Sequence, residues 1–195
     1  MKKKNIIIII ALAAFVILVG AGIRAVLNVS DERLEQQSLE TLKSSEGRDN
    51  HHAVGRNILD REFTGVANGD GSLRETITSN EVTVINFFAS WCDPCRRETP
   101  ELIEYQASRG GGSLDVVGIN IDDSDGNRDK FLEEFGVTYP VYEFSDEPAA
   151  IESYKIHLMP TTFFVDSEGT IVRAYIGEVG TDLIDSYVNY VKEES

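Results

Sequence analysis

Both cysteines of this chain lie within one pentapeptide, Trp91-Cys92-Asp93-Pro94-Cys95. Two residues between them leave the sulfurs close enough to close a disulfide across one helical turn, the first facing outward and the second lying deeper. A thiol does little by itself. The thiolate is the nucleophile, and a helix N-terminus, with its free N–H groups and its dipole, favours the anionic sulfur. Charged, helix-spaced residues follow the pentapeptide from Arg96 to Tyr105, so Cys92 falls at or just before such a terminus and is expected to be acidified. The intervening pair tunes that effect: Pro94 costs nothing in a first helical turn, whereas Asp93 places a negative charge beside the sulfurs and opposes the thiolate. Dithiol redox chemistry is the leading reading. A half zinc site would need two further ligands from only three histidines, and an inert bridge over so short a loop would constrain little of the unfolded chain.

The elements that must position these sulfurs alternate in type. Val82–Phe88 is short, β-branched and nearly all apolar, as suits a strand buried on both faces, and it delivers the pentapeptide to its C-terminal end. A helix from about Pro94 to Ser108 follows, with a kink expected at Pro100. Then come a strand Leu114–Ile121, a helix from about Asn127 to Phe135, a strand Val137–Phe144 and a helix Glu147–Tyr154. This alternation predicts an α/β fold with a parallel core and helices on both faces. The chain closes as β-β-α: strands 162–166 and 170–175 flank Ser167-Glu168-Gly169, and a helix runs from Thr181 to Lys192. Ahead of the core, 58–79 carries Phe63, Val66, Leu73 and Ile77 around Asn68-Gly69-Asp70-Gly71, which predicts a hairpin-like extension. The acidic run 122–126 does not fit a calcium loop, because Ile121 and Leu132 would occupy its terminal ligand positions; it reads as the loop after a strand.

The stretch 87–100, Phe-Phe-Ala-Ser-Trp-Cys-Asp-Pro-Cys-Arg-Arg-Glu-Thr-Pro, together with Tyr154 to Asp166 around Met159-Pro160-Thr161-Thr162, and Gly169, resembles the thioredoxin fold. Within it, the chain looks like the membrane-anchored TlpA/ResA type of thiol-disulfide oxidoreductase over about residues 56 to 195. The resemblance implies a central mixed sheet flanked by helices, with an N-terminal extension and a central insertion. It implies a cis proline at Pro160, opposite the disulfide, and pairing of the Met159 backbone with bound substrate. Trp91 and Gly177 are candidates to border that substrate groove, although for Gly177 simple turn geometry is an equal alternative.

Glu98 lies three residues after Cys95 on the same helical face, where its carboxylate could take and return the proton of the resolving sulfur. The resemblance places an active-site glutamate there. Asn86 stands where ordinary thioredoxins carry a buried aspartate, and a neutral amide cannot move that proton. His157 is a weaker candidate to approach the sulfurs.

The formal net charge is −15 even with Lys2, Lys3, Lys4 and Arg24 counted, which argues against nucleic acid and anionic lipid surfaces as partners. Residues 1–5 form a basic end, Ile6–Ile23 is a chargeless apolar run near the lower limit for a membrane span, and Arg24 closes it. The charge asymmetry predicts a single-pass anchor with the N-terminus in the cytoplasm and the rest outside the cell membrane; a cleaved signal peptide is the alternative. Residues 24–56 read as a polar stalk containing His51-His52, and 57–195 as the thioredoxin-like domain. No cofactor is expected. The expected partners are a disulfide-bearing protein, for which the resemblance suggests apocytochrome c, and a transmembrane electron donor of the CcdA/DsbD type. Two other functions stay open on the same fold: an oxidant that inserts disulfides, and a redox-inactive metal carrier.

Overall fold

The computed structural model describes residues 51–69, 71–111 and 114–194, all within the unit Glu46–Ser195. In chain order its elements are β1 (Phe63–Ala67), α1 (Leu73–Thr78), β2 (Val82–Phe88), α2 (Asp93–Arg109), β3 (Leu114–Asn120) and α3 (Asp125–Phe135). They continue with β4 (Val141–Phe144), α4 (Glu147–Tyr154), β5 (Thr161–Asp166), β6 (Ile171–Ile176) and α5 (Thr181–Glu194). The strands form one sheet in the order β1-β4-β3-β2-β5-β6. Pairing is parallel for β2 with β3 and β3 with β4, and antiparallel for β5 with β2 and β6 and for β1 with β4. The sheet is mixed, as the family resemblance implied. The expected parallel core is β2-β3-β4, and β5 and β1 flank it antiparallel.

All seven residues of β2 are buried, which places it at the centre with helices on both sides. Its alternate side chains divide between two cores. Ile85 and Phe87 join Ile77, Phe144, Tyr154 and Phe163 on the face covered by α1 and α4. Val84, Asn86 and Phe88 face α2, α3 and α5: Phe88 stacks on Phe131 at 5.2 Å, and Phe164, the register partner of Val84, stacks on Tyr187 at 4.9 Å. Asn86 is thus the one polar side chain that β2 turns toward α2. α2 runs unbroken through Pro100, whose missing N–H removes one helical bond without ending the helix.

Three expectations are corrected. The segment 58–79 is not a hairpin: β1 pairs with the distant β4, and the chain then forms α1. Leu73 and Ile77, four apart, bury one helical face, and Ser72 and Glu75 form a reciprocal capping box that starts the helix. The strand expected over 137–144 begins only at Val141, after Pro140, which has no N–H to give a ladder. The stalk cannot extend to Arg56, because Ala53 is fully buried and the Gly55 N–H and Arg56 carbonyl bond the Ile171 carbonyl and N–H at 2.8 and 2.9 Å. His51 belongs to this packed edge, its ring meeting Phe163 at 5.3 Å. The apolar run 6–23 lies outside the described residues. Among those described, no helix is long and apolar enough to cross a membrane.

Candidate active site

The chain leaves β2 at Phe88, crosses Ala89–Trp91 and enters α2 with Cys92 as its N-cap, at φ −83° and ψ 104°. The Cys95 N–H donates to Cys92 Sγ at 3.2 Å, so a free N–H of the first turn is aimed at the first sulfur. A disulfide joins Cys92 and Cys95, with Cα atoms 5.3 Å apart. Cys95 is fully buried and Cys92 is 4% exposed. The depth order is the expected one, but the outward sulfur reaches solvent only narrowly. Pro94 lies in the first turn, half-buried, and Asp93 is exposed beside it, its charge acting on Arg97.

Trp91 stands next to the disulfide, 57% exposed, and its indole N–H donates to the Asp122 carbonyl at 2.7 Å. Asp123 completes this anchor: its carboxylate accepts from the Ser90 N–H and hydroxyl at 2.6 and 2.9 Å and from Asn120 Nδ2 at 3.2 Å. Partial burial works to raise its carboxyl, but the bonds from Ser90, Asn120 and Ser124 outweigh it and hold the group below the usual carboxylate range. Nothing in the residue pattern singled out Asp123 for this position. The available signal was an acidic run after β3, which ends beside β2 in a parallel sheet.

At the same end of the sheet, Phe87 pairs with Thr161, so the residues before β5 arrive near the sulfurs. The Met159–Pro160 peptide bond is cis, Pro160 is buried, and Met159 is half-buried. Gly177 has φ +122°, a conformation open to glycine, and its N–H donates to the Pro160 carbonyl at 2.9 Å. Turn geometry and proximity to Pro160 therefore coincide at this residue. His157 is not drawn toward the cysteines: it is exposed, and its charge acts on His51 and Glu152.

Glu98 is 2% exposed on the face of α2 that packs against β2. Its Oε1 accepts from Asn86 Nδ2 at 2.8 Å and its Oε2 from the Val179 N–H at 3.0 Å. Burial raises its carboxyl to about 7 against the pull of those two bonds, and the Glu178 charge adds a smaller push in the same direction. A group poised there exchanges a proton near neutrality. Beside it, Thr99 donates its hydroxyl to the Cys95 carbonyl at 2.8 Å, and Tyr139, pushed up by burial and by the Glu98 charge, bonds Thr99. The site thus holds two sulfurs at a helix tip, a buried ionisable carboxyl one turn further on, and a cis proline at the neighbouring strand entry.

This fold and these paired sulfurs define a thioredoxin-like protein of the TlpA/ResA type. The chain belongs to the Redoxin family, whose model matches residues 53–191. It is 28% identical over 108 residues to thiol-disulfide oxidoreductase ResA of Bacillus subtilis (strain 168), a match covering 55% of this chain and 60% of that protein. It is 32% identical over 107 residues to the ResA of Oceanobacillus iheyensis, covering 54% of this chain and 55% of that protein. The chain therefore spans less than two thirds of the length of these curated relatives. Among solved structures, the thioredoxin-related protein from Neisseria meningitidis serogroup B superposes with a TM-score of 0.57 at 26% identity, over 68% of this chain and 99% of that one.

Proposed function

We propose that the chain is an extracytoplasmic thiol-disulfide oxidoreductase that reduces disulfides in protein clients. The observation that carries this reading is the seat of Cys92: N-cap of α2, receiving the Cys95 N–H, with the ionisable Glu98 buried one turn beyond Cys95. In the reduced protein, the Cys92 thiolate attacks a client disulfide, forming a mixed disulfide and releasing the client's other sulfur as a thiolate. Cys95 gives its proton to the Glu98 carboxylate and attacks the Cys92 sulfur. The client leaves with its second sulfur reduced, Glu98 passes its proton on, and Cys92 and Cys95 remain joined. Two electrons have moved from the chain to the client.

Trp91, Met159, Pro160 and Gly177 are assigned to client binding, with Asp93 and Pro94 tuning the sulfurs. Ile6–Ile23 with its flanking Lys2–Lys4 and Arg24 supports a single-pass anchor holding the domain outside the cell membrane. Regeneration there calls for a transmembrane donor of the CcdA/DsbD type, and apocytochrome c is the client suggested by the likeness to TlpA/ResA proteins. Expression of Cys95→Ala in a native membrane tests the reading: it should accumulate a covalent adduct, reversible by dithiothreitol, whose partner is the client. A reduction potential near that of DsbA would reverse the direction, and absence of any adduct would remove the proposal.

A further inference from the structure

The turn between β6 and α5, 177–180, carries glycine at both ends, and the Gly180 position is open space. Such a segment has much backbone freedom to lose, so its position depends on what holds it. Three ties do. Gly177 donates to the Pro160 carbonyl at 2.9 Å, Val179 donates to Glu98 Oε2 at 3.0 Å, and the Glu178 carboxylate is gripped by the Arg97 guanidinium, Nε at 3.2 Å and a terminal nitrogen closer. Arg97 and Glu98 are neighbours on α2, and Glu178 and Val179 are neighbours on the turn. The two elements are therefore joined twice, once by a buried bond and once by an exposed ion pair beside it. The same turn reaches Pro160, the edge assigned above to the client.

We propose that Arg97 and Glu178 are positioning residues that latch this turn, keeping the Val179 N–H on the Glu98 carboxyl and the Gly177 N–H on Pro160 together. The latch rests on the reading of Glu98 as proton carrier and adds how that carboxyl is tied to the client edge. A surface groove lined by Arg97, Glu98, Glu101, Glu178 and Asp182 lies against the buried Glu98 on a side that includes neither cysteine. The charged and titratable groups facing Glu98 are Arg97 and Glu101 from α2, Glu178 and Asp182 from the turn and α5, and Tyr139 from the segment before β4. Removing Arg97 leaves Glu178 without its neutralising partner and loosens the Val179 bond, two changes that favour the protonated carboxyl, while water admitted by a loosened turn favours the carboxylate. The same turn holds the Gly177 N–H on the Pro160 carbonyl, so the client edge should respond to the same loss.

The test uses the full-length chain with insulin as oxidised probe and a small aromatic disulfide as reference. Arg97→Gln should shift the pH midpoint of reduction for both probes and raise the KM for insulin roughly threefold, as befits an exposed ion pair, leaving the KM for the small disulfide nearly unchanged. The charge-swapped pair Arg97→Glu with Glu178→Arg should restore both. An Arg97→Gln profile and KM equal to wild type, or a swap that restores neither, overturns the latch. Glu98→Gln separates the two readings: if it changes the pH profile while Arg97→Gln does not, the latch alone fails. If Glu98→Gln leaves the profile untouched, the proton role fails and the latch with it.

Discussion

Asn86 Nδ2 donates to Glu98 Oε1 at 2.8 Å, joining the centre of β2 to the first turns of α2. The same amide donates to Thr162 Oγ1 on β5 at 3.1 Å, so its two N–H groups are both used and its orientation is set. A carboxylate at position 86 would face Glu98 as a second acceptor with no proton to spare. The amide instead leaves Glu98 as the single buried acid of this face among the described residues, stabilised by two donors and destabilised more by loss of water. Two outcomes follow from that balance.

Reduction of a disulfide client should gain rate as pH rises through about 7, where Glu98 becomes able to accept the Cys95 proton. Glu98→Gln should flatten this limb and lower the rate near neutrality about a hundredfold, the lower side of what a positioned acid–base group contributes. Stopped-flow release of client from the mixed disulfide, measured across pH, checks it. A Gln variant that keeps the wild-type limb excludes Glu98 as the proton carrier.

Stability should carry the same signature with a definite sign. Glu98 has a raised folded-state value, about 7 against 4.5, so its contribution is fully present below pH 4.5 and is lost as pH rises through 7. The difference in unfolding free energy between wild type and Glu98→Gln should fall by on the order of 3 kcal/mol across that window. Urea unfolding of the oxidised proteins at a series of pH values measures it, and a difference independent of pH contradicts the assignment.

Asp123→Ala removes the acceptor of the Ser90 N–H, the Ser90 hydroxyl and an Asn120 N–H at once. The expected cost is about 1–3 kcal/mol, with faster alkylation of reduced Cys92 as the Ala89–Trp91 crossing loosens. The Asp123 carboxyl is held low, so its contribution is present above the ordinary carboxylate range and lost as pH falls through its lowered value. Denaturant titration at neutral and acidic pH, paired with iodoacetamide kinetics, gives both readouts; unchanged kinetics would detach Asp123 from the sulfurs.

Much of the site was legible because it is local. The spacing of Cys92 and Cys95, the buried run of β2, the turn at Ser167-Glu168-Gly169 and the helical stripe of Leu183, Ile184, Tyr187, Val188 and Val191, of which all but Leu183 are buried, involve residues a few positions apart. Residue type and period decide such features. The capping box at Ser72 and Glu75 was equally local, but the turn at Asn68 and Gly69 competes with it as a hairpin signal, and only the pairing of β1 with β4 settles between them.

By itself, then, the amino-acid order determined an α/β chain with a dithiol at a helix tip and an acid one turn further on. Tertiary structure alone decided what surrounds that acid: Asn86 twelve positions before it, Val179 eighty-one after it, and the Arg97–Glu178 pair across the same gap. The physical reason is that proton affinity depends on burial and on which donors converge. Those are set by strand order and helix packing, which bring together groups that no short window of residues contains.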